Sequence, residues 1–159
     1  MYDSTNDTKS HIKHIQDIFT TIVIPELSRR ALNHDASKFD SPEKETYDKY
    51  IPLLQKVKYG TDEYNALKEE MSKTGTGHHY SVNRHHPEHF EHGIKEMTLF
   101  DLIEMYFDWF AASLRSDTGF GKVLEMNIEK YDISNDLAQI FINTYNEYLK
   151  DKVTDLKNK

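Results

Sequence analysis

The residues best suited to chemistry in this chain are few and scattered along it. His34-Asp35 sets an imidazole beside a carboxylate, with the ammonium of Lys38 three residues further on. A neutral imidazole nitrogen and a hard carboxylate oxygen both suit a divalent first-row metal, and a carboxylate has two oxygens with which to bridge two ions. The segment from His78 to His92 holds six of the nine histidines. His79, His85 and His86 are its candidate nitrogen ligands. Of the adjacent pair His85-His86, one is expected to face the site while the other packs or hydrogen-bonds. Lys38 and Arg84 are candidate phosphate contacts, the arginine bidentate and the lysine a point charge. The plain alternatives are a surface histidine tract and two ordinary surface cations.

The elements that must position these groups are helices. Ile12, Ile15, Ile18, Phe19, Ile22 and Val23 recur at helical spacing, and His11 and His14 share a face with Ile18. Pro25 removes a backbone donor and is expected to kink or break this helix. A second piece, Glu26 to Asn33, then leads into His34-Asp35. Ser41-Pro42-Glu43 reads as the start of a helix running to about Val57. Tyr59-Gly60 reads as a break, and Thr61-Asp62-Glu63 as the cap of a third helix that ends before Thr74. The glycines of Thr74-Gly75-Thr76-Gly77 predict a flexible surface loop, with a lid as the alternative. The histidine segment, with Pro87 inside it, reads as mostly irregular.

The run Leu99 to Arg115 is the most informative. Thr98-Leu99-Phe100-Asp101 has the spacing of a capping box. Asp101, Glu104, Asp108 and Arg115 then fall on one stripe about 60° wide. The residues around that stripe, among them Leu102, Ile103, Tyr106, Phe107, Trp109 and Phe110, are apolar, so the helix should be largely buried. Buried carboxylates cost several kcal/mol unless they are paired or bind metal. The stripe therefore either faces solvent with a salt bridge or points Asp108 into an internal polar site beside the small residues Ala111 and Ala112. After a turn at Asp117 to Gly121, a short helix to about Lys130 and a last amphipathic helix capped by Ser134 complete an all-α fold of about six helices. Residues 1–7 and 150–159 read as frayed termini of a single domain spanning 1–159.

Composition sets the outer limits. A chain of 159 residues can bury a real core. A net charge of −7 argues against bulk nucleic-acid binding. No cysteine is present, which removes disulfides, thiolate zinc sites and cysteine nucleophiles and fits a reducing compartment. No apolar run approaches the roughly 20 residues that span a bilayer, and the polar stretch Met1 to Lys9 lacks the features of a signal peptide. A soluble cytoplasmic protein without a membrane role is the expectation, and a homo-oligomer is compatible with it.

An early-helix histidine, a His-Asp doublet closing a later helix and a distal aspartate on another helix form the ligand order of the HD-domain metal-dependent phosphohydrolases. His11 (or His14), His34-Asp35 and Asp108 resemble that order. His34-Asp35-Ala36-Ser37-Lys38 is similar to the HD-x-G-K element of the HD-GYP branch, with Ser37 in place of glycine. His85-His86-Pro87-Glu88 is similar to its paired-histidine element, and Asp108 to Ala112 with Arg115 to its final helix, with Ala111 in place of the second aspartate. The Gly-Tyr-Pro signature is missing, so the cyclic-dinucleotide specificity of that branch does not carry over. Over most of its length the chain resembles more closely an uncharacterised family of bacteria and their phages. The matching words are His34-Asp35-x-Ser37-Lys38, Tyr59-Gly60-x-x-Glu63-Tyr64, His79-Tyr80, Asn83 to His89, and Asp101-Leu102-x-Glu104-Met105 with Asp108-Trp109.

The HD resemblance implies one or two divalent transition metals, drawn from Fe, Mn, Co, Ni and Zn, and hydrolysis of a small phosphate ester, a nucleotide by preference. It makes His11, His34, Asp35 and Asp108 the primary ligands. His79, His85 and His86 are then candidates for a second ion bridged by Asp35. Lys38 and Arg84 would hold phosphate, and Glu104 would orient a ligand or carry a proton. The rival expectation is a catalytically silent protein that uses the same residues to bind a nucleotide or a partner.

Overall fold

The computed structural model describes residues 2–58, 61–115 and 117–158. It is all-α, with six continuous helical runs and no strand among the described residues, in line with the sequence reading. The chain divides into two compact units, Met1–Ala36 and Ser37–Lys159.

In the first unit, α1 (Thr5–Ile18), a π-helical turn (Phe19–Val23) and α2 (Ile24–Asn33) form one uninterrupted rod. The expected break at Pro25 is absent, because the backbone stays right-handed helical through Ile18, Phe19 and Ile24. The π turn explains the difference. Its wider i→i+5 ring shifts the hydrogen-bond register just ahead of the proline, so the missing N–H falls where the register changes. Pro25 stands in the first turn of α2, where no intrahelical donor is required. The Thr20 and Thr21 hydroxyls donate to the carbonyls of Gln16 (2.9 Å) and Asp17 (2.6 Å), steadying the turn. Every residue from Tyr2 to Ile22 is exposed. The rod ends at His34, and Asp35 follows with φ 57°, in the left-handed region.

The second unit opens with a 3₁₀ turn around Lys38 and α3 (Glu43–Leu54). Pro42, not Ser41, stands at the N-terminal boundary of α3, and no side chain caps it. The helix closes three residues short of Val57. The expected break at Tyr59-Gly60 lies outside the described residues. Thr61 caps α4 (Asp62–Met71) by accepting from the Tyr64 N–H, as its sequence position predicts. The third run does not stop before Thr74, however. A π turn (Ser72–Thr76) carries it into α5 (Gly77–Val82), which bears His78 and His79.

The glycines serve close packing here. A Cβ on Gly75 would lie 2.5 Å from the Thr46 Cβ, and one on Gly77 would lie 2.6 Å from the Ser72 carbonyl oxygen. Both distances are far inside van der Waals contact, so Gly75 lets the helix lie directly on α3, and Gly77 leaves room for the Ser72 carbonyl of its own π turn. The Thr46 hydroxyl also approaches that of Thr74 at 3.1 Å.

After two short 3₁₀ turns, α6 (Leu99–Leu114) runs through the middle of the core. Its N-terminus carries the expected capping box. The Thr98 hydroxyl accepts from the Asp101 N–H, and the Asp101 carboxylate accepts from the Thr98 N–H at 2.8 Å. Met105, Tyr106, Trp109 and Phe110 are buried against Phe120 and Leu124 of α7 (Phe120–Lys130), Ile133, Phe141 of α8 (Asn135–Thr144), and Leu149. Trp109 stacks on Tyr131 with their planes 2° apart. Ser134 caps α8 by accepting from the Leu137 N–H. The lysine-rich end is exposed but helical, closing with α9 (Val153–Lys157).

Gly75→Ala should destabilise the protein by about 1–3 kcal/mol, the usual cost of forcing an extra methyl into packed structure. Thr46→Gly in the same chain should recover part of that loss, because it removes the Cβ, methyl and hydroxyl that the new Cβ would strike, against a cost of about 1 kcal/mol for a glycine inside α3. Urea denaturation of the single and double variants checks this. A loop glycine would instead tolerate alanine to within about 0.5 kcal/mol.

Candidate metal centre

Two buried carboxylates set the geometry of the second unit. Glu43, in the first turn of α3, is completely buried. Its Oε1 lies 2.8 Å from His78 Nδ1 and its Oε2 2.8 Å from His79 Nδ1. Burial opposes its charge, yet hydrogen bonds from His78, Ser37 and His79 hold its carboxyl below the usual glutamate range. An ionised carboxylate only accepts, so each imidazole must present Nδ1–H to it. That leaves Nε2 of each ring as the acceptor nitrogen. The Asn83 amide donates to Ser37 Oγ (2.8 Å) and to the His79 carbonyl (2.9 Å), closing a network of Asn83, Ser37, Glu43 and His79 around a single ring orientation.

A second carboxylate–imidazole pair stands on α6, where Glu104 lies 3.3 Å from His85 Nδ1. His85 is buried and Glu104 is largely so. The rings of His79, His85 and His86 pack together, with centroids 4.1 to 6.0 Å apart. Each offers a ring nitrogen, and the three nitrogens lie within 4.8 Å of one another. The closest pair is His79 Nε2 and His86 Nε2, at 2.9 Å. An Asp108 oxygen lies equally within 4.8 Å of a His85 nitrogen. Burial, followed by the neighbouring His85 and His79, pushes the His86 imidazole down to about 4. At neutral pH it is uncharged, which is the form that binds a metal ion.

The acidic stripe of α6 therefore faces inward. Asp101 is fully buried, and Glu104 and Asp108 are partly so. Consecutive basic residues meet it: Arg84 pairs with Asp101, His85 with Glu104, and His86 feels the charge of Asp108. Arg84 clamps Asp101 with Nε (3.2 Å) and Nη2 (2.9 Å) and lies over the Phe90 ring. Two of its donor nitrogens are thus engaged with Asp101. Arg115, on the same sequence stripe, is exposed beyond the end of α6. Lys38 has its ammonium 5.5 Å from the Tyr47 ring centroid, and Tyr47 in turn meets His79 edge-on.

In the first unit, His34 Nε2 and Asp35 Oδ2 are 3.5 Å apart. His11 is exposed on α1, and within its own unit no three ligand atoms gather around it among the described residues. Of the expected ligands in the second unit, the structure brings together His79, His85 and His86, and sets Asp108 beside His85. The sequence does not mark Glu43, Ser37 and Asn83 as the groups that orient them. Glu43 reads locally as an ordinary acid in a helix's first turn; its partners lie 35 and 36 residues away.

Two outcomes are expected of the metal-free protein. Arg84→Ala leaves Asp101 fully buried without its guanidinium and should cost about 3 kcal/mol, while Arg84→Lys keeps a charge but not the two-point clamp and should recover only part. Stability should also fall with pH. An unfolded His86 takes up its proton near 6.5, whereas the folded one does so only near 4. The unfolded state binds more protons in between, so stability is full above pH 6.5 and is lost as pH falls toward 4. His86 alone contributes at most about 3 kcal/mol to this. Urea titrations at pH 7 and pH 5, with His86→Gln showing a smaller drop, measure it.

No curated protein and no solved structure matches the chain. A family model matches over residues 1–151, and it describes a family of unknown function. With nearly the whole chain covered, the protein belongs to that family of unknown function, DUF5662.

Proposed function

We propose that this protein is a metal-dependent phosphohydrolase of HD type, acting on a phosphate ester of the nucleotide class. One observation carries the reading: two carboxylate–imidazole pairs, Glu43–His79 and Glu104–His85, stand where three histidine nitrogens converge beside Asp108. A carboxylate behind an imidazole fixes its tautomer and raises its basicity, the usual arrangement behind a metal ligand. In this reading His79, His85, His86 and Asp108 hold a divalent ion, and the His34-Asp35 doublet supports the HD reading by its resemblance to the HD motif. Nitrogen and carboxylate donors without sulfur suit Fe, Mn, Co, Ni or Zn.

A divalent ion so held would supply Lewis acidity toward a phosphoryl oxygen. The chain's own residues do the rest. Glu43 and Glu104 keep the rings in register, and Glu104 is the group proposed to accept a proton. Lys38 offers a point charge for phosphate. Arg84, expected from sequence to touch phosphate, acts in this reading as a positioning residue that holds the segment bearing His85 and His86 against α6 through Asp101.

The test contrasts neighbours on one helix. Asp108→Asn keeps the volume and removes the anionic oxygen, so metal affinity and phosphate release from a nucleotide panel with added Mn, Co or Ni should collapse. Metal-free stability should change little or rise, because a partly buried charge is gone. Trp109→Ala should behave in the opposite way, losing about 3–5 kcal/mol from the core while the folded fraction still binds metal. Wild-type metal affinity in Asp108→Asn would sink the reading. Metal binding without any phosphate release would leave a catalytically silent nucleotide- or partner-binding protein.

A further inference from the structure

The rod of the first unit presents an exposed hydrophobic face. Ile12, Ile15, Phe19 and Ile22 are 44 to 54% exposed, and Ile18 beside them is 45% exposed. No residue of α1 is buried. A helix wetted on every side is marginal in water, since packing of an apolar face supplies most helical stability in proteins. Something must cover this face.

The spacing points to another helix. Ile12, Ile15, Phe19 and Ile22 alternate by three and four, which is the first-and-fourth-position pattern of a two-heptad seam. The seam is bounded. Thr8 occupies the preceding seam position, and past Ile22 the π turn shifts the heptad register, so the pattern suits one short closed contact and not an extended fibre. No charged residue falls on it; the Lys13–Asp17 pair lies outside the seam. The pattern also reads the same from either end about residue 17. A second copy laid antiparallel sets Ile12 against Ile22 of its mate and Ile15 against Phe19, while Ile18 flanks one side of the seam in both copies. Such a contact is isologous, the commonest form of homo-oligomer interface.

We propose that the face formed by Ile12, Ile15, Phe19 and Ile22 is a homodimer interface in which α1 of two copies pairs antiparallel. The area agrees. Half of five large side chains amounts to roughly 500 Å² per copy, so about 1,000 Å² in total, the lower limit for a specific interface. Antiparallel pairing sets the two helix dipoles head to tail. Because each chain leaves its rod at Asn33, it also sends the two chains away from opposite ends. The interface is independent of the metal-centre reading above.

Sedimentation velocity of the full chain over about 1–100 µM should show a monomer–dimer equilibrium. Ile15→Lys and Phe19→Lys should each give a monomer at every concentration, with a parallel loss of helical circular dichroism. Ser10→Lys, off the seam, should leave the dimer intact. Since the chain has no cysteine, engineered thiols report orientation cleanly. The double variant Ile15→Cys/Phe19→Cys should oxidise to a covalent dimer, and Ile15→Cys alone should not. A wild-type chain that stays monomeric throughout, including one that instead binds lipid vesicles, overturns the proposal. So does a dimer that Ile15→Lys leaves unchanged, and efficient cross-linking by Ile15→Cys alone replaces the antiparallel arrangement with a parallel one.

Discussion

A carboxylate can be removed from water only where something replaces the water. This protein removes two completely, Glu43 and Asp101, and they rank with Met105 among its most deeply buried large side chains. Each would cost several kcal/mol if left alone. Glu43 is answered by His78, His79 and Ser37, and Asp101 by Arg84 and the Thr98 cap. These pairings determine the path of a segment that has little regular structure of its own. Between the end of α5 and the 3₁₀ turn at Pro87–His89, Asn83 reaches back to Ser37 while Arg84 and His85 reach forward to α6. The histidine cluster sits where it does because this segment is stitched on both sides.

What the sequence makes legible follows from the range of each interaction. The capping threonines Thr61 and Thr98 and the serine Ser134 act within three residues, and all three stand where a local reading puts them. The apolar side of α6 is legible for the same reason, because Met105, Tyr106, Trp109 and Phe110 keep helical period. Pro25 and Gly75 mislead for a common reason. Each has a default local meaning, a break or a loop, which a π turn overrides by shifting the hydrogen-bond register so that the helix continues. Glu43 was invisible because its role is defined entirely by partners that arrive from another helix. The stripe of α6 was half legible: its period showed that Asp101, Glu104 and Asp108 share a face, but only Arg84 and His85 decide that the face looks inward.

The two kinds of buried pair have different consequences. An Arg–carboxylate clamp is saturated: the guanidinium cannot lose its proton, and its fork geometry matches the carboxylate. It fixes structure and offers little else. A carboxylate–imidazole pair is unsaturated. Once Nδ1–H is given to Glu43 or Glu104, the ring still has a lone pair at Nε2, and the carboxylate has made that lone pair more basic. Placing one saturated pair, Arg84–Asp101, one helical turn from an unsaturated one, His85–Glu104, holds the reactive ring without consuming it. The low protonation range of His86 has the same character, since burial among other imidazoles keeps its ring neutral and available.

At the end of the rod the backbone takes a conformation that most residues avoid. Asp35 follows the end of α2 with φ 57°, the position at which helices most often place glycine or asparagine. A non-glycine residue there costs of order 1 kcal/mol. Gly93 and Gly119 also take positive φ, and so does a second aspartate, Asp132, outside the candidate site. Asp35 sets its carboxylate directly after His34, at the end of a rod that neither Pro25 nor the π turn interrupts. The carboxylate so placed has its Oδ2 3.5 Å from His34 Nε2, so the two donor groups of the doublet stand together at the end of the rod.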